Sequence, residues 1–115
     1  MEFIRQVVAY KSYFLDFYYS QPDKVQRKIE WTLNFIRVTQ IIPEKFFKHV
    51  EDVKGVFEIR IEVENNIYRI FSFFDSGNLI ILGNAFQKKS KKMPKKEIEK
   101  AVRIMEEYFY EKEAK

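Results

Sequence analysis

Apolar and polar residues alternate along three stretches in the middle of the chain. The alternation predicts three consecutive strands, Val56–Val63, Ile67–Phe74 and Leu79–Phe86. Asn65-Asn66 separates the first two and Ser76-Gly77 the second two, and both dipeptides tolerate positive φ, so each predicts a tight hairpin turn. Closing at these turns pairs Val63 with Tyr68, Glu62 with Arg69, and Arg60 with Phe71. In the second hairpin it pairs Asp75 with Asn78, Phe71 with Leu82, and Arg69 with Asn84. Side chains alternate across a sheet, so one face is expected to carry Phe57, Ile59, Ile61, Val63, Tyr68, Ile70, Ser72 and Phe74, with Leu79, Ile81, Gly83 and Ala85. That is the core face. The opposite face carries Glu58, Arg60, Glu62, Arg69, Asn84 and Phe86, among Phe71, Phe73, Ile80 and Leu82. A one-residue slip in either turn would exchange these sets.

The flanking segments change period. Phe3 to Tyr10 is a short apolar stretch read as a first strand. Lys11 to Gln21 places Tyr13, Phe14, Phe17 and Tyr18 at helical spacing, and Val25, Ile29, Leu33 and Ile36 mark one face of a second helix, from Pro22 to about Gln40. The two form a helical hairpin. Glu44 to Val50 is expected to be a short helical turn. Pro94 suits the start of a last helix, with Ile98, Ala101, Val102, Met105 and Phe109 as its apolar stripe. The order is β-α-α-β-β-β-α. The expected fold is a single α+β domain over 1–115, a two-layer arrangement with an antiparallel sheet and the helical hairpin on one face. The other face needs cover from the last helix or from a partner.

Composition narrows the chemistry. The chain has 115 residues, no Cys and one His, so there is no disulfide framework, thiolate nucleophile, Cys-ligated zinc or multi-His metal site, and no cofactor is expected. No apolar run approaches the ~18 residues of a membrane span, and the first residues lack the apolar core of a secretion signal, so a soluble cytoplasmic protein without membrane contact is expected. The net charge is +4, and Gln87 to Lys96 holds six Lys and no acid. Such a run is either a solvated loop or a phosphate-binding segment. It leaves the sheet beside Asn84 and Phe86, which favours phosphate. His49 is the side chain whose ordinary pKa lies nearest neutrality, hence the natural acid/base candidate, with a plain surface histidine as the alternative.

Three segments in order carry a resemblance. They are Gly55-Val56-Phe57-Glu58-Ile59-Arg60, Asn66-Ile67-Tyr68-Arg69-Ile70-Phe71, and Asn84-Ala85-Phe86-Gln87-Lys88-Lys89-Ser90-Lys91-Lys92-Met93-Pro94. Together they resemble the RelE/ParE toxin superfamily, in its HigB-like, phage-derived branch. Ala85 stands where Gly is usual there, and Met93 where Thr is usual. The resemblance implies the toxin of a type II toxin–antitoxin pair, an endoribonuclease that cuts messenger RNA on the translating ribosome. It implies a small helix-turn-helix antitoxin as partner, with operator DNA bound through that antitoxin. The ParE side of the superfamily, which poisons DNA gyrase without catalysis, shares the fold and stays open as the alternative.

Metal-free RNA cleavage uses the 2′-hydroxyl as nucleophile and needs a base, an acid and cations at the phosphorane. Arg60 and Arg69 match the family's arginines and suit the cation role, because a guanidinium grips two phosphate oxygens at once. The structural alternative pairs Arg69 with Glu62, and Arg60 with Glu58 or a helix carboxylate. Lys88 and Lys89 match the family's lysine pair, and alternation puts Lys88 on the arginine face. Lys88 and His49 complete the catalytic candidates. Lys54, Asn84, Phe86, Lys89, Lys91 and Lys92 are the RNA-binding candidates, Phe86 by stacking and the lysines on ribosomal RNA backbone. Relatives often place a Tyr, His or Asp near the C-terminus at the site. Here Tyr108 and Tyr110 have no assignable role, and the acid has no candidate in the tail.

Overall fold

A computed structural model describes residues 3–114. Among them, five strands and three helices follow in the order β1 (Gln6–Ala9), α1 (Tyr13–Tyr19), α2 (Asp23–Val38), β2 (Phe47–His49), β3 (Phe57–Val63), β4 (Asn66–Asp75), β5 (Leu79–Lys88) and α3 (Lys95–Glu113). The strands form one sheet in the order β1-β5-β4-β3-β2. Two expectations need correction. Residues 47–49 are not helical but form the edge strand β2, antiparallel to β3. Phe47 and His49 drive this, since their rings pack against Phe57 and only an extended backbone lays both on one side. The sheet is also not wholly antiparallel, because β1 runs parallel to β5. The α1–α2 hairpin is the crossover that makes a parallel return possible.

The first hairpin closes at Glu64-Asn65 rather than Asn65-Asn66, with Val63 opposite Asn66 and Glu64 at φ 57. The slip is two residues, so every side chain keeps its predicted face. In the second hairpin Asp75 pairs with Leu79, through Ser76, Gly77 and Asn78. That slip is one residue and reverses the first half of β5. Ile80 and Leu82, not Leu79 and Ile81, join Ile59, Ile61, Tyr68 and Ile70 against α1 and α2. A β-bulge then restores the phase. Ser72 pairs with Leu82 and Ile70 with Ala85, so Phe71 opposes both Gly83 and Asn84. Beyond the bulge, Ala85 faces the helical hairpin and Phe86 packs with Phe71 on the other side, as expected.

α3 covers much of that second face and adds a third layer. Its Ala101 and Ile104 are buried against Phe71 and Phe86, and against Phe73 and Ile81, respectively. Ile104 is absent from the predicted stripe, which passes from Val102 to Met105. The approach is close: a Cβ on Gly83 would stand 3.3 Å from the Phe71 carbonyl oxygen and 3.6 Å from Ile104 Cγ2. Asn84 fixes the start of the helix. Its side-chain amide donates to the Glu97 carbonyl at 3.0 Å and to Glu97 Oε1 at 2.9 Å.

Asp75 fixes the other end. Buried at the end of β4, it accepts from Tyr108 Oη at 2.6 Å and from Lys112 Nζ at 2.5 Å. The Lys112 ammonium first, and the Tyr108 hydroxyl second, hold this carboxyl below its ordinary value of 3.8. A carboxyl with a depressed folded-state pKa adds stability above its unfolded pKa and loses it as pH falls through the folded one. The thermal midpoint is therefore expected to fall on acidification below pH 3.8, and Asp75→Asn is expected to be the less stable protein at neutral pH with a shallower acid limb. Parallel acid limbs in a pH series of melting curves would refute this.

Candidate functional site

The strand pairing brings three residues from three strands into one row on the α3 side of the sheet. Phe86 of β5 lies opposite Arg69 of β4, and Arg69 lies opposite Arg60 of β3. In the next row Lys88 lies opposite Ile67, and Ile67 opposite Glu62. Like charges directly opposite each other destabilise a sheet. Here a single carboxylate compensates both arginines, since Glu58 Oε1 is 3.3 Å from Arg60 Nε and 3.7 Å from Arg69 Nε. The structural alternative for Arg60 is thus realised with Glu58, whereas Arg69 turns to Glu58 and not to Glu62.

The two arginines differ in their surroundings. The Arg69 side chain is only 8% exposed, and that of Arg60 is 32% exposed. Arg69 donates one hydrogen bond, from Nη1 to the Tyr68 carbonyl at 3.1 Å. Its buried Nε has no hydrogen-bond partner, and burial pushes the guanidinium pKa down. It nevertheless stays charged at any physiological pH. Arg60 directs Nη1 to the Glu44 carbonyl at 3.3 Å. Two cations sharing one carboxylate, one of them with an unused donor, make a local positive excess that a further anion would neutralise.

A cleft of about 410 Å³ opens onto this pair. It exists because β2 and the turn before it pair with β3 no further than Arg60, which leaves that edge uncovered beyond it. α2 supplies Lys28 to the wall and the turn before β2 supplies Lys45 and Phe46. β3 and β4 supply Arg60, Ile61, Glu62, Ile67 and Arg69. Four cations line the cleft with Glu62, and Glu58 lies against the two arginines.

The structure sorts the remaining candidates. Lys88 is half-buried on the arginine side, and its ammonium donates to the Lys91 carbonyl at 2.9 Å, folding the lysine run back on itself. Lys89, Lys91 and Lys92 are exposed in that loop, and Lys54 is exposed in the turn before β3. Three candidates lie away from the arginines or under cover. His49 pairs with Phe57, whose face of β3 is opposite to that of Arg60, so the fold does not bring it to the arginines. Asn84 is 2% exposed and committed to Glu97, because α3 closes over the bulge. Phe86 is 8% exposed and packs against Phe71 at 5.2 Å between ring centres, which leaves no free face for a base. Tyr108 is likewise committed, to Asp75. Sequence reasoning missed Lys28, Lys45 and Phe46. Lys28 belongs to a helix and the other two to an expected helical turn, and nothing in their local spacing points to β3.

Among the described residues no helix is long and apolar enough to cross a membrane. A family model described as "Phage derived protein Gp49-like (DUF891)" matches residues 16–106. No curated protein sequence matches the chain. Among solved structures, the chain is similar to one in the crystal structure of the archaeal RelE-RelB complex from Pyrococcus horikoshii OT3, with a TM-score of 0.52 and 16% sequence identity. The match covers 70% of this chain and 91% of that one. At this identity the likeness is one of fold.

Proposed function

The chain belongs to the phage-derived Gp49-like family and has a RelE-type fold, and from this premise we propose that it is the toxin of a type II toxin–antitoxin pair, acting as a ribosome-dependent endoribonuclease on translated messenger RNA. The observation that carries the reading is the Arg60–Arg69 pair, two opposed guanidinium groups sharing Glu58 in a cleft rich in cations. In the reaction the 2′-oxygen bonds to the adjacent phosphorus and the bond from phosphorus to the 5′-oxygen breaks. The products are a 2′,3′-cyclic phosphate and a 5′-hydroxyl. Negative charge builds on the non-bridging oxygens, and preorganised donors aimed at them are the largest single source of acceleration. The Arg60 and Arg69 guanidinium groups, which line the cleft, take those oxygens. Lys88, one row away, adds charge on the leaving side, and the departing 5′-oxygen takes its proton from water. Glu62 is exposed on the cleft wall and accepts the 2′-hydroxyl's proton. His49 takes no part. Lys54, Lys89, Lys91 and Lys92 hold ribosomal RNA by its backbone, where such contacts position without reading sequence.

The RelE-RelB likeness supports an antitoxin partner for this chain as well. A small helix-turn-helix antitoxin, binding operator DNA in the complex, fits the reading. A second reading, a gyrase poison of the ParE kind, is favoured by one observation: the chain's single His stands off the arginine face. Mapping new 5′ ends on a messenger in a purified translation reaction separates the two. The wild type is expected to leave codon-phased 5′-hydroxyl ends, and Arg69→Ala none. Intact messenger and translation, with inhibited supercoiling by gyrase, would sink the nuclease reading.

A further inference from the structure

We propose that Trp31 and Phe46 form a nucleobase platform on the rim of the cleft. An RNA strand with one phosphate between Arg60 and Arg69 then lays a neighbouring base against these rings. The inference rests on the RNA reading above and extends it from the phosphate to the base.

Trp31 is 50% exposed, a large area for a tryptophan in a small domain. It is held rigidly. Phe35 stacks parallel to it at 5.3 Å between ring centres, and Phe46 lies 5.9 Å away. Phe46 itself lines the cleft. Each of the two rings carries a cation: Lys28 Nζ is 4.7 Å from the Trp31 centroid, and Lys45 Nζ is 5.7 Å from that of Phe46. Both lysines also line the cleft with the arginines. The platform and the arginines are mechanically one unit, because the Arg60 amide donates to the Phe46 carbonyl at 2.8 Å and its guanidinium to the Glu44 carbonyl.

Exposed aromatic faces beside a basic groove are the arrangement that binds single-stranded nucleic acid, with stacking on the rings and phosphates on the cations. An arriving phosphate draws the Lys28 ammonium off the indole and frees that face for a base. A protein partner fits less well, since the core of a protein interface is depleted in lysine, and here a lysine sits over each ring.

Trp31 is not among the residues that line the cleft with the arginines, so a substitution there leaves Arg60 and Arg69 in place. The test measures affinity at low salt for a 2′-O-methyl RNA octamer, which cannot be cut, and for an abasic octamer of the same charge. The wild type is expected to bind the abasic strand about tenfold more weakly, within the range of base stacking on an aromatic side chain. Trp31→Ala should lower octamer affinity to the abasic level and leave abasic affinity unchanged, and Trp31→Phe should restore part of the difference. Arg69→Ala should weaken both strands alike. Circular dichroism and a melting curve check that each variant is folded. Equal weakening of both strands by Trp31→Ala, or no weakening of either, overturns the platform while octamer binding by the wild type keeps the phosphate reading. Failure of the wild type to bind either strand overturns the platform, and the 5′-end mapping in a translation reaction decides the nuclease reading separately. If Trp31→Ala spares RNA but breaks the complex with a co-expressed antitoxin, the rings are a protein-docking surface and the base platform is wrong.

Discussion

Arg69→Met is expected to abolish codon-phased cutting while leaving the protein as stable as the wild type, or more so. The activity side follows from the chemistry of the phosphorane. Removing one preorganised oxyanion donor costs about 100- to 1000-fold in rate. The stability side follows from burial. Arg69 is a buried cation whose Nε has no hydrogen-bond partner, set opposite a second arginine. Burial opposes its charge, and Glu58 keeps Arg60 as a partner at 3.3 Å once Arg69 has gone. Methionine fills nearly the same volume, and replacing a poorly satisfied buried charge by an apolar side chain is often neutral or stabilising. Arg69→Lys keeps charge but loses the fork, so it should recover only part of the activity. Cutting rates in a reconstituted translation reaction, with a denaturation curve for each variant, read both sides. A loss of several kcal/mol in the methionine variant would make Arg69 a structural residue. Wild-type cutting by it would remove Arg69 from the site.

The largest stability effect is expected from Phe71→Ala, at about 3–5 kcal/mol, the usual cost of deleting a buried aromatic ring. Phe71 is fully buried, packs on Phe86 beneath α3, and is the single residue of β4 that opposes the bulge. In a domain of this size that corresponds to a drop of roughly 10–25 °C in thermal midpoint. Phe74→Ala is the control. Phe74 lies on the same strand but is 36% exposed, on the other face, so its loss should cost less than half as much. Similar midpoints for the two variants would show that α3 does not depend on the bulge region. Because Phe71 lies directly opposite Glu58, its variant should also disturb the arginine pair and lose activity out of proportion to its unfolded fraction.

How much of this was legible in the sequence depended on whether a feature is periodic or long-range. The faces of β3 and β4 were readable because a two-residue slip preserves alternation, so Arg60 and Arg69 came out on one side despite a wrong partner assignment. The first half of β5 was not readable, because hairpin loops of two and three residues differ in phase and Ser76-Gly77 suits either. Gly83 was the one local sign of the bulge, and it read equally well as a small residue in a strand. β2 was missed because Pro43 and a short mixed segment have no period of their own, and their strand geometry comes from β3. The same holds for the site. The family-like arginines and lysines were visible as motifs. Lys28 and Lys45 belong to the cleft only because α2 and the turn pack beside an uncovered stretch of β3. Asn84 and Phe86 are covered by α3, whose docking alternation alone does not reveal.

The parallel pairing of β1 with β5 sets the order in which the molecule can assemble. Gln6 to Ala9 have Leu79 to Leu82 as their strand partners, so the first strand waits for the last one to be made. Such contacts close late, because the entropy of a long loop is lost before any bond repays it. Arg69 and Arg60 meet across an earlier hairpin, but their row gains Phe86, and the next row Lys88, only when β5 arrives. A chain still emerging from the ribosome thus has the whole lining of the cleft before β5, and with it Lys88, is in place.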